Sequence, residues 1–317
     1  MMDDALPLVL ADLPVGPVVE ELVAGKVRLL PWSAAQEPGA DRIEAVLTYG
    51  HPTVDGPLLD RMPRVRVVSN FGVGVDHIDV PAAAARKIPV GNTPGILDGA
   101  TADLAFSLLL AAGRRIVEGD RYARGPNFLK YDPSFMLGRE VHGRTLGIIG
   151  LGRIGEQVAR RARGFDMTVL YSNRNRKPAA EASLGVRFAA MNELLAQSDY
   201  VVLTVPLTGE TRGLIGQAEL ARMKPTASLI NAARGAVVDL PALTEALQQK
   251  RIFAAALDVT DPEPLPRDHP ILALPNVIIT PHLGSATEET RRRMAEMAIE
   301  NLMAGLAGRP LVREVKP

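Results

Sequence analysis

The sequence contains no cysteine. That removes thiolate nucleophiles, cysteine-ligated zinc and any disulfide framework, and it suits a chain working in the reducing cytosol. Neither charge is in excess: 36 Lys and Arg balance 36 Asp and Glu, so no long-range field draws the chain to nucleic acid or an anionic membrane. Long apolar runs are also missing. The most apolar stretch, residues 104–113 (LAFSLLLAAG), is about half a membrane span. The opening residues, MMDDALPLVLADLP, carry acids where a secretory signal needs basic residues. These absences imply a water-soluble, cytoplasmic chain with no membrane or nucleic-acid partner. The five histidines (His51, His77, His142, His269, His282) show no ligand-like spacing, so no metal is expected. With 317 residues and no internal repeats, there is room for two domains with good cores.

What is present is organised around residues 146–155, LGIIGLGRIG. Four apolar or small residues lead into Gly150, Gly152 and Gly155, spaced G-x-G-x-x-G. The following EQVARRARGF has helical periodicity, and residues 167–171 (MTVLY) read as a second buried strand. Strand, glycine turn, helix and strand within about 30 residues is the setting of a dinucleotide fingerprint. Gly150 permits the tight turn, Gly152 lets backbone approach a pyrophosphate, and Gly155 lets helix pack on strand. Leu151, Gly152, Arg153 and Ile154 then lie beside that pyrophosphate, where the helix start offers partial positive charge.

Upstream, apolar runs at residues 7–11, 26–30, 45–48 and 65–69, with a helix-like stretch at 15–23, predict a second parallel sheet. The last run enters NFGVGVDHID, where Gly72 and Gly74 suggest exposed backbone N–H groups at a strand's carboxyl end. Residues 101–124 have helical spacing and predict one helix, buried between domains or subunits because its first half is so apolar. Residues 125–142 read as an extended connecting arm. Strands at 186–188, 200–205, 228–231, 254–258 and 277–280 follow, with helices at 191–196 and 240–250. A long amphipathic helix spans 287–307, its arginine cluster at 291–293 read as a solvated face.

The fold class is therefore α/β, with two doubly wound parallel-sheet domains and a cleft between them. A Rossmann-type dinucleotide-binding domain takes residues 99–286. A flavodoxin-like substrate domain is discontinuous, 1–98 plus 287–317, so two crossings act as a hinge.

Three polar residues sit directly after successive strands of the nucleotide domain: Arg234 in INAARGAVVD, Glu263 in LDVTDPEP and His282 in TPHLGSAT. Singly, each is an ordinary surface arginine, turn acid or loop histidine. Together they should share the sheet edge where a nicotinamide would sit.

These motifs, with LGIIGLGRIG and NFGVGVDHID, resemble the D-isomer-specific 2-hydroxyacid dehydrogenases, most closely the glyoxylate/hydroxypyruvate reductase branch. The resemblance implies that Arg234 grips substrate carboxylate and carbonyl oxygen, His282 donates the proton and Glu263 is its partner. It implies further that Val73 and Gly74 hold the carboxylate through backbone N–H, and that Asp258 orients the nicotinamide carboxamide. Thr101, Val205, Pro206, Thr211 and Ala232 belong to the implied cofactor set. The chemistry agrees. Reducing a 2-oxoacid puts negative charge on the former carbonyl oxygen, which an adjacent guanidinium stabilises. An imidazole can supply the proton near neutral pH, and a neighbouring carboxylate favours its protonated form.

At the end of the second strand an NAD-preferring site places an acid about 20 residues past the glycines. Here stand Ser172, Asn173, Arg174, Asn175 and Arg176. Ser172, Asn173 and Arg174 can hydrogen-bond a 2′-phosphate and Arg176 can add charge, so NADPH is the expected cofactor, with NADH weaker. Glyoxylate and hydroxypyruvate lead as substrates, with 2-ketogluconate or phenylpyruvate-type acids behind. The loop from Thr48 to His51 faces the substrate side chain in this reading, with Tyr49 or His51 setting its size. The resemblance also implies a homodimer, with Phe135 as the aromatic an arm could lend to a partner's pocket. A nucleotide-sensing binding module with weak catalysis is the alternative of a different class.

Overall fold

Val9, Leu10 and Ala11 have no exposed surface, and that first apolar run sets the pattern for both sheets. The computed structural model describes residues 6–316. Five short strands, β1 (Leu8–Ala11), β2 (Arg28–Pro31), β3 (Ala45–Thr48), β4 (Val68–Asn70) and β5 (Val90–Gly91), pair in the order β2-β1-β3-β4-β5, all parallel. Parallel sheets are covered on both faces, so their strands read as continuous apolar runs. The strand read at 65–69 starts three residues later, because Val65 closes a turn by donating to Met62 O at 3.0 Å. The two-residue β5 leaves almost no sequence signal.

The long helix Glu288–Leu306 returns to this first sheet. Thr287 caps it by accepting from Thr290 N at 3.2 Å. Ser69 Oγ donates to Ala298 O at 2.6 Å, and a Cβ added at Gly305 would stand 2.3 Å from Val67 Cβ. The contact is therefore too close for any side chain at Gly305. One compact unit thus runs to Leu97 and resumes at Thr287; the other is Asp98–Ala286.

The second unit carries β6 (Thr145–Ile149), β7 (Thr168–Ser172), β8 (Arg187–Phe188), β9 (Tyr200–Leu203), β10 (Ser228–Asn231), β11 (Ala254–Leu257) and β12 (Val277–Ile279). All are parallel, in the order β12-β11-β10-β9-β6-β7-β8. Successive residues feed two cores: Leu146, Ile148, Val202 and Ile230 pack on one face, Ile149, Val201, Leu203 and Leu229 on the other. Each such buried side chain contributes roughly 1.5–3 kcal/mol.

The single helix read over 101–124 is two helices, Asp98–Gly113 and Ile116–Ala123. Arg115 between them has φ 53°, and the carbonyl of Gly113 accepts Arg139 N–H at 2.7 Å from the returning arm. The apolar residues of the first helix, among them Phe106 and Leu109, belong to a core of their own unit. No described helix is long and apolar enough to cross a membrane.

Candidate active site

Because the seven strands are parallel, their carboxyl ends share one edge. Gly150 follows β6, Val205 and Pro206 follow β9, Ala232 to Arg234 follow β10, Asp258 follows β11 and His282 follows β12. The chain runs outward from β6 through β7 to β8, then returns to β9 on the other side of β6. That reversal is the switch point where open α/β sheets bind ligands.

At the switch point stands the glycine turn. Gly150 has φ +101°, and a Cβ there would lie 2.8 Å from Val205 N. A Cβ on Gly155 would meet Gly150 O at 2.5 Å, so the helix Arg153–Arg163 can approach only without it. Gly152 differs: nothing lies within 4 Å of its added Cβ, so the backbone there opens onto space. No side chain caps this helix. An open glycine before an uncapped helix start fits the diphosphate of a dinucleotide, with Arg153 and Ile154 supplying backbone N–H. Leu151 plays a different part. It is fully buried, and its N–H donates to Asn173 Oδ1 at 2.6 Å, so Asn173 braces the turn with its side chain.

Beyond β7 the two arginines separate in role. Arg176 is held by Glu181 through two bonds, Nη2–Oε2 at 2.7 Å and Nε–Oε1 at 3.0 Å. Tyr171 Oη donates to the same carboxylate at 2.5 Å. Hydrogen bonds from Arg176 first, and from Tyr171 second, hold the Glu181 carboxyl far below the ordinary glutamate range, at about 2. Arg176 is thus paired within its own loop, its side chain still largely exposed. A depressed carboxyl stabilises the fold above its unfolded pKa and loses that contribution as pH falls toward the folded value. Glu181→Gln is thus expected to lower Tm at neutral pH and to bring the mutant and wild-type curves together near pH 2. Thermal denaturation across that range measures it. Arg174 makes a single exposed contact, Nη1 to Glu210 Oε2 at 3.2 Å.

The His282–Glu263 pair lies at the far side of the edge. His282 Nδ1 and Glu263 Oε1 are 2.8 Å apart. With the carboxylate accepting at Nδ1, Nε2 is the nitrogen that can carry a transferable proton. His282 has φ 55°, and its own N–H donates to Asp258 O at 2.9 Å. The buried Asp258 side chain fixes the loop around it: Oδ1 accepts from Thr280 Oγ1 and Leu283 N, both at 2.7 Å, and Oδ2 from Gly284 N at 2.8 Å. A Cβ on Gly284 would stand 3.2 Å from that Oδ2 and 3.3 Å from Thr101 Cγ2, which places the buried Thr101 beside it. Asp258 thus carries a loop-holding task that the sequence did not reveal.

Arg234 is half-buried and extended (φ −142°, ψ 147°), with Nη1 donating to Ala233 O at 3.0 Å. Asn231 ties its loop: Oδ1 accepts Ala233 N and Nδ2 donates to Arg234 O, each at 3.0 Å. A Cβ on the next residue, Gly235, would fall 2.0 Å from the backbone of Thr260. The arginine loop therefore lies against the segment that leads into Glu263, whose Oε2 accepts Thr260 N at 3.4 Å. Thr211 is spent on its own loop, donating to Pro206 O at 2.7 Å. Ala232, nearly buried, follows β10 as its N–H reaches Leu203 O at 3.4 Å.

In the first unit the glycine loop is held by two asparagine side chains. Asn70 Nδ2 donates to Gly72 O and Gly74 O at 3.0 Å each, and Asn92 Nδ2 to Val73 O at 2.9 Å. In a trans peptide the N–H points opposite to the preceding C=O. Drawing those carbonyls inward turns the N–H groups of Val73 and Gly74 outward. Tyr49 is anchored nearby: its N–H donates to Asp12 Oδ1 at 2.6 Å, and its ring lies 4.7 Å from that of Phe71. Arg291 stands 5.7 Å over the Phe71 ring, so this member of the arginine cluster is not merely solvated. Asn70 and Phe71 stand in the NFGVGVDHID run and Arg291 in the arginine cluster, yet sequence reasoning assigned none of them these contacts, and Asp12 carried no signal.

Residues 106–284 match the family model of the D-isomer specific 2-hydroxyacid dehydrogenase NAD binding domain. Over 262 residues the chain is 51% identical to a glyoxylate reductase of Korarchaeum cryptofilum, covering 82% of this chain and 79% of that one. Among solved structures, the TT0316 protein of Thermus thermophilus superposes with TM-score 0.87 at 42% identity, over 98% of this chain and 100% of that one. An NADPH-dependent glyoxylate/hydroxypyruvate reductase of Sinorhizobium meliloti, solved with NADP and malonate, superposes with TM-score 0.89 at 31% identity, over 98% and 97%.

Proposed function

Because the chain belongs to the D-isomer specific 2-hydroxyacid dehydrogenase family, we propose that it reduces small 2-oxoacids of the glyoxylate and hydroxypyruvate type to D-2-hydroxyacids, with NADPH preferred over NADH. It is an NAD(P)-dependent oxidoreductase. The observation that carries the proposal is the His282–Glu263 pair, 2.8 Å apart, at the same strand edge as an open glycine turn.

The nicotinamide, when bound, supplies the hydride. Gly152, Arg153 and Ile154 would hold its diphosphate, and Thr101, Ala232 and Asp258 would flank its ring end. Val205 and Pro206, after β9, border the same groove. Arg234 binds the substrate carboxylate and faces the developing oxyanion with a planar, permanently charged donor set. In the first unit, Val73 and Gly74 turn outward backbone N–H groups of the kind that hold a carboxylate. His282 delivers the proton from Nε2, and Glu263 stabilises the imidazolium until it does.

For the cofactor, Ser172 and Arg174 support NADPH, since residues 172–176 contain no acid to take a ribose 2′-hydroxyl. The reductase of Sinorhizobium meliloti, solved with NADP, adds support. Wild-type kcat/KM is expected to favour NADPH. Arg174→Asp is expected to cut the NADPH-to-NADH ratio about tenfold or more, the worth of one charge-assisted bond. Equal wild-type efficiencies with the two cofactors would overturn the preference.

A homodimer is part of the same proposal. The arm after Ala123 exposes Phe128, Leu129, Tyr131 and Leu137, with Leu129 at 87% and Tyr131 at 82%. Phe135 packs 4.7 Å from Tyr122 of its own chain while remaining half exposed. Such apolar surface in one segment suits a second copy of the chain. Light scattering should give twice the chain mass, and a monomeric mass would refute it.

A further inference from the structure

The strand order β9-β6-β7 sets β6 and its glycine turn between two flanking strands. Arg174 lies just beyond β7, and Glu210 lies in the loop after β9. Their contact, Nη1 to Oε2 at 3.2 Å, must therefore span the carboxyl end of β6. That is the groove a dinucleotide would follow to place its adenosine ribose. The pair is lightly held. Both side chains are largely exposed, 80% and 70%, and the contact uses one nitrogen and one oxygen. Arg176 offers the contrast: two bonds to Glu181, which Tyr171 also holds. Glu210 itself stands on a braced loop, because Thr211 Oγ1 donates to Pro206 O at 2.7 Å and accepts Thr208 N at 2.8 Å. Its carboxylate is thus presented to Arg174 by a fixed backbone, while the guanidinium it holds remains exchangeable.

We infer that Glu210 is a specificity-determining residue: it competes with the 2′-phosphate of the cofactor for the Arg174 guanidinium. The inference rests on the reading of Arg174 as a 2′-phosphate ligand. A phosphate carries more charge than a carboxylate and offers three acceptor oxygens, so it displaces Glu210 from the guanidinium. A 2′-hydroxyl does not, and with NADH the Arg174–Glu210 bridge persists. Glu210 therefore weakens NADPH without touching NADH, and narrows the discrimination that Arg174 creates.

Calorimetry with two adenosine fragments tests this without turnover. Adenosine 2′,5′-bisphosphate carries the 2′-phosphate, and adenosine 5′-monophosphate lacks it. Both are titrated into wild type, Glu210→Gln, Arg174→Ala and the double variant. An exposed pair is worth about a two- to fivefold change in affinity. Glu210→Gln is expected to tighten the bisphosphate by that factor and to leave the monophosphate unchanged. In the Arg174→Ala background the same change should have no effect. If Glu210→Gln leaves bisphosphate binding unchanged while Arg174→Ala weakens it, Glu210 is not a competitor and the phosphate reading of Arg174 stands. If Arg174→Ala leaves bisphosphate binding unchanged, both fall. Equal tightening with and without Arg174 also overturns the inference, since it reports a general field of the lost charge.

Discussion

Replacing His282 by Gln is expected to lower kcat for glyoxylate reduction by about 10²- to 10⁴-fold, with NADPH binding close to wild type. Gln keeps an amide able to meet Glu263 but has no proton to give. The loop should survive, because its bonds come from elsewhere: the Asp258 carboxylate holds Thr280, Leu283 and Gly284, and the backbone of residue 282 donates to Asp258 O. The loss should therefore fall on kcat and not on cofactor affinity. Stopped-flow reduction at saturating cofactor measures the rate and calorimetry the cofactor affinity, and an unchanged rate would mean that another acid donates.

Replacing Arg234 by Lys is expected to cost about 10²- to 10³-fold in kcat/KM for 2-oxoacids. The charge is retained, so the loss isolates geometry. A guanidinium presents donors in a fixed plane and can hold a carboxylate while pointing at the neighbouring oxygen; an ammonium is a point charge on a flexible stem. The loop is built to fix that plane, with Asn231 bonding both sides of Ala233–Arg234 and Gly235 pressed against Thr260. Because the substrate carboxylate and the developing oxyanion both depend on it, KM should rise and kcat should fall together. A change confined to KM would reduce Arg234 to a binding residue.

Much of this was legible in the sequence because it is local. A buried strand, a glycine turn and a helix must be contiguous, so residues 146–155 announce the switch point directly. Arg234, Glu263 and His282 each follow a strand within a few residues, and a parallel sheet brings strand ends to one edge whatever the loops do. What was not legible depends on partners far along the chain. Arg176 and Arg174 are equivalent as letters, and only the position of Glu181 and Glu210 in space separates a firmly paired arginine from an exchangeable one. The helix break at Arg115 follows from the returning arm, whose Arg139 takes the Gly113 carbonyl. Asp258 reads as one acid after a strand, yet its carboxylate organises the loop that carries His282. Arg291 belongs to a run of three like charges, and only the ring of Phe71 distinguishes it.

The most direct test of the central claim is the initial rate of dihydronicotinamide oxidation by the purified wild-type protein, measured spectrophotometrically with glyoxylate, hydroxypyruvate and larger 2-oxoacids. Rapid turnover with the small 2-oxoacids, greater with NADPH than with NADH, is the expected result. Absence of turnover with every 2-oxoacid, with either cofactor, would contradict it.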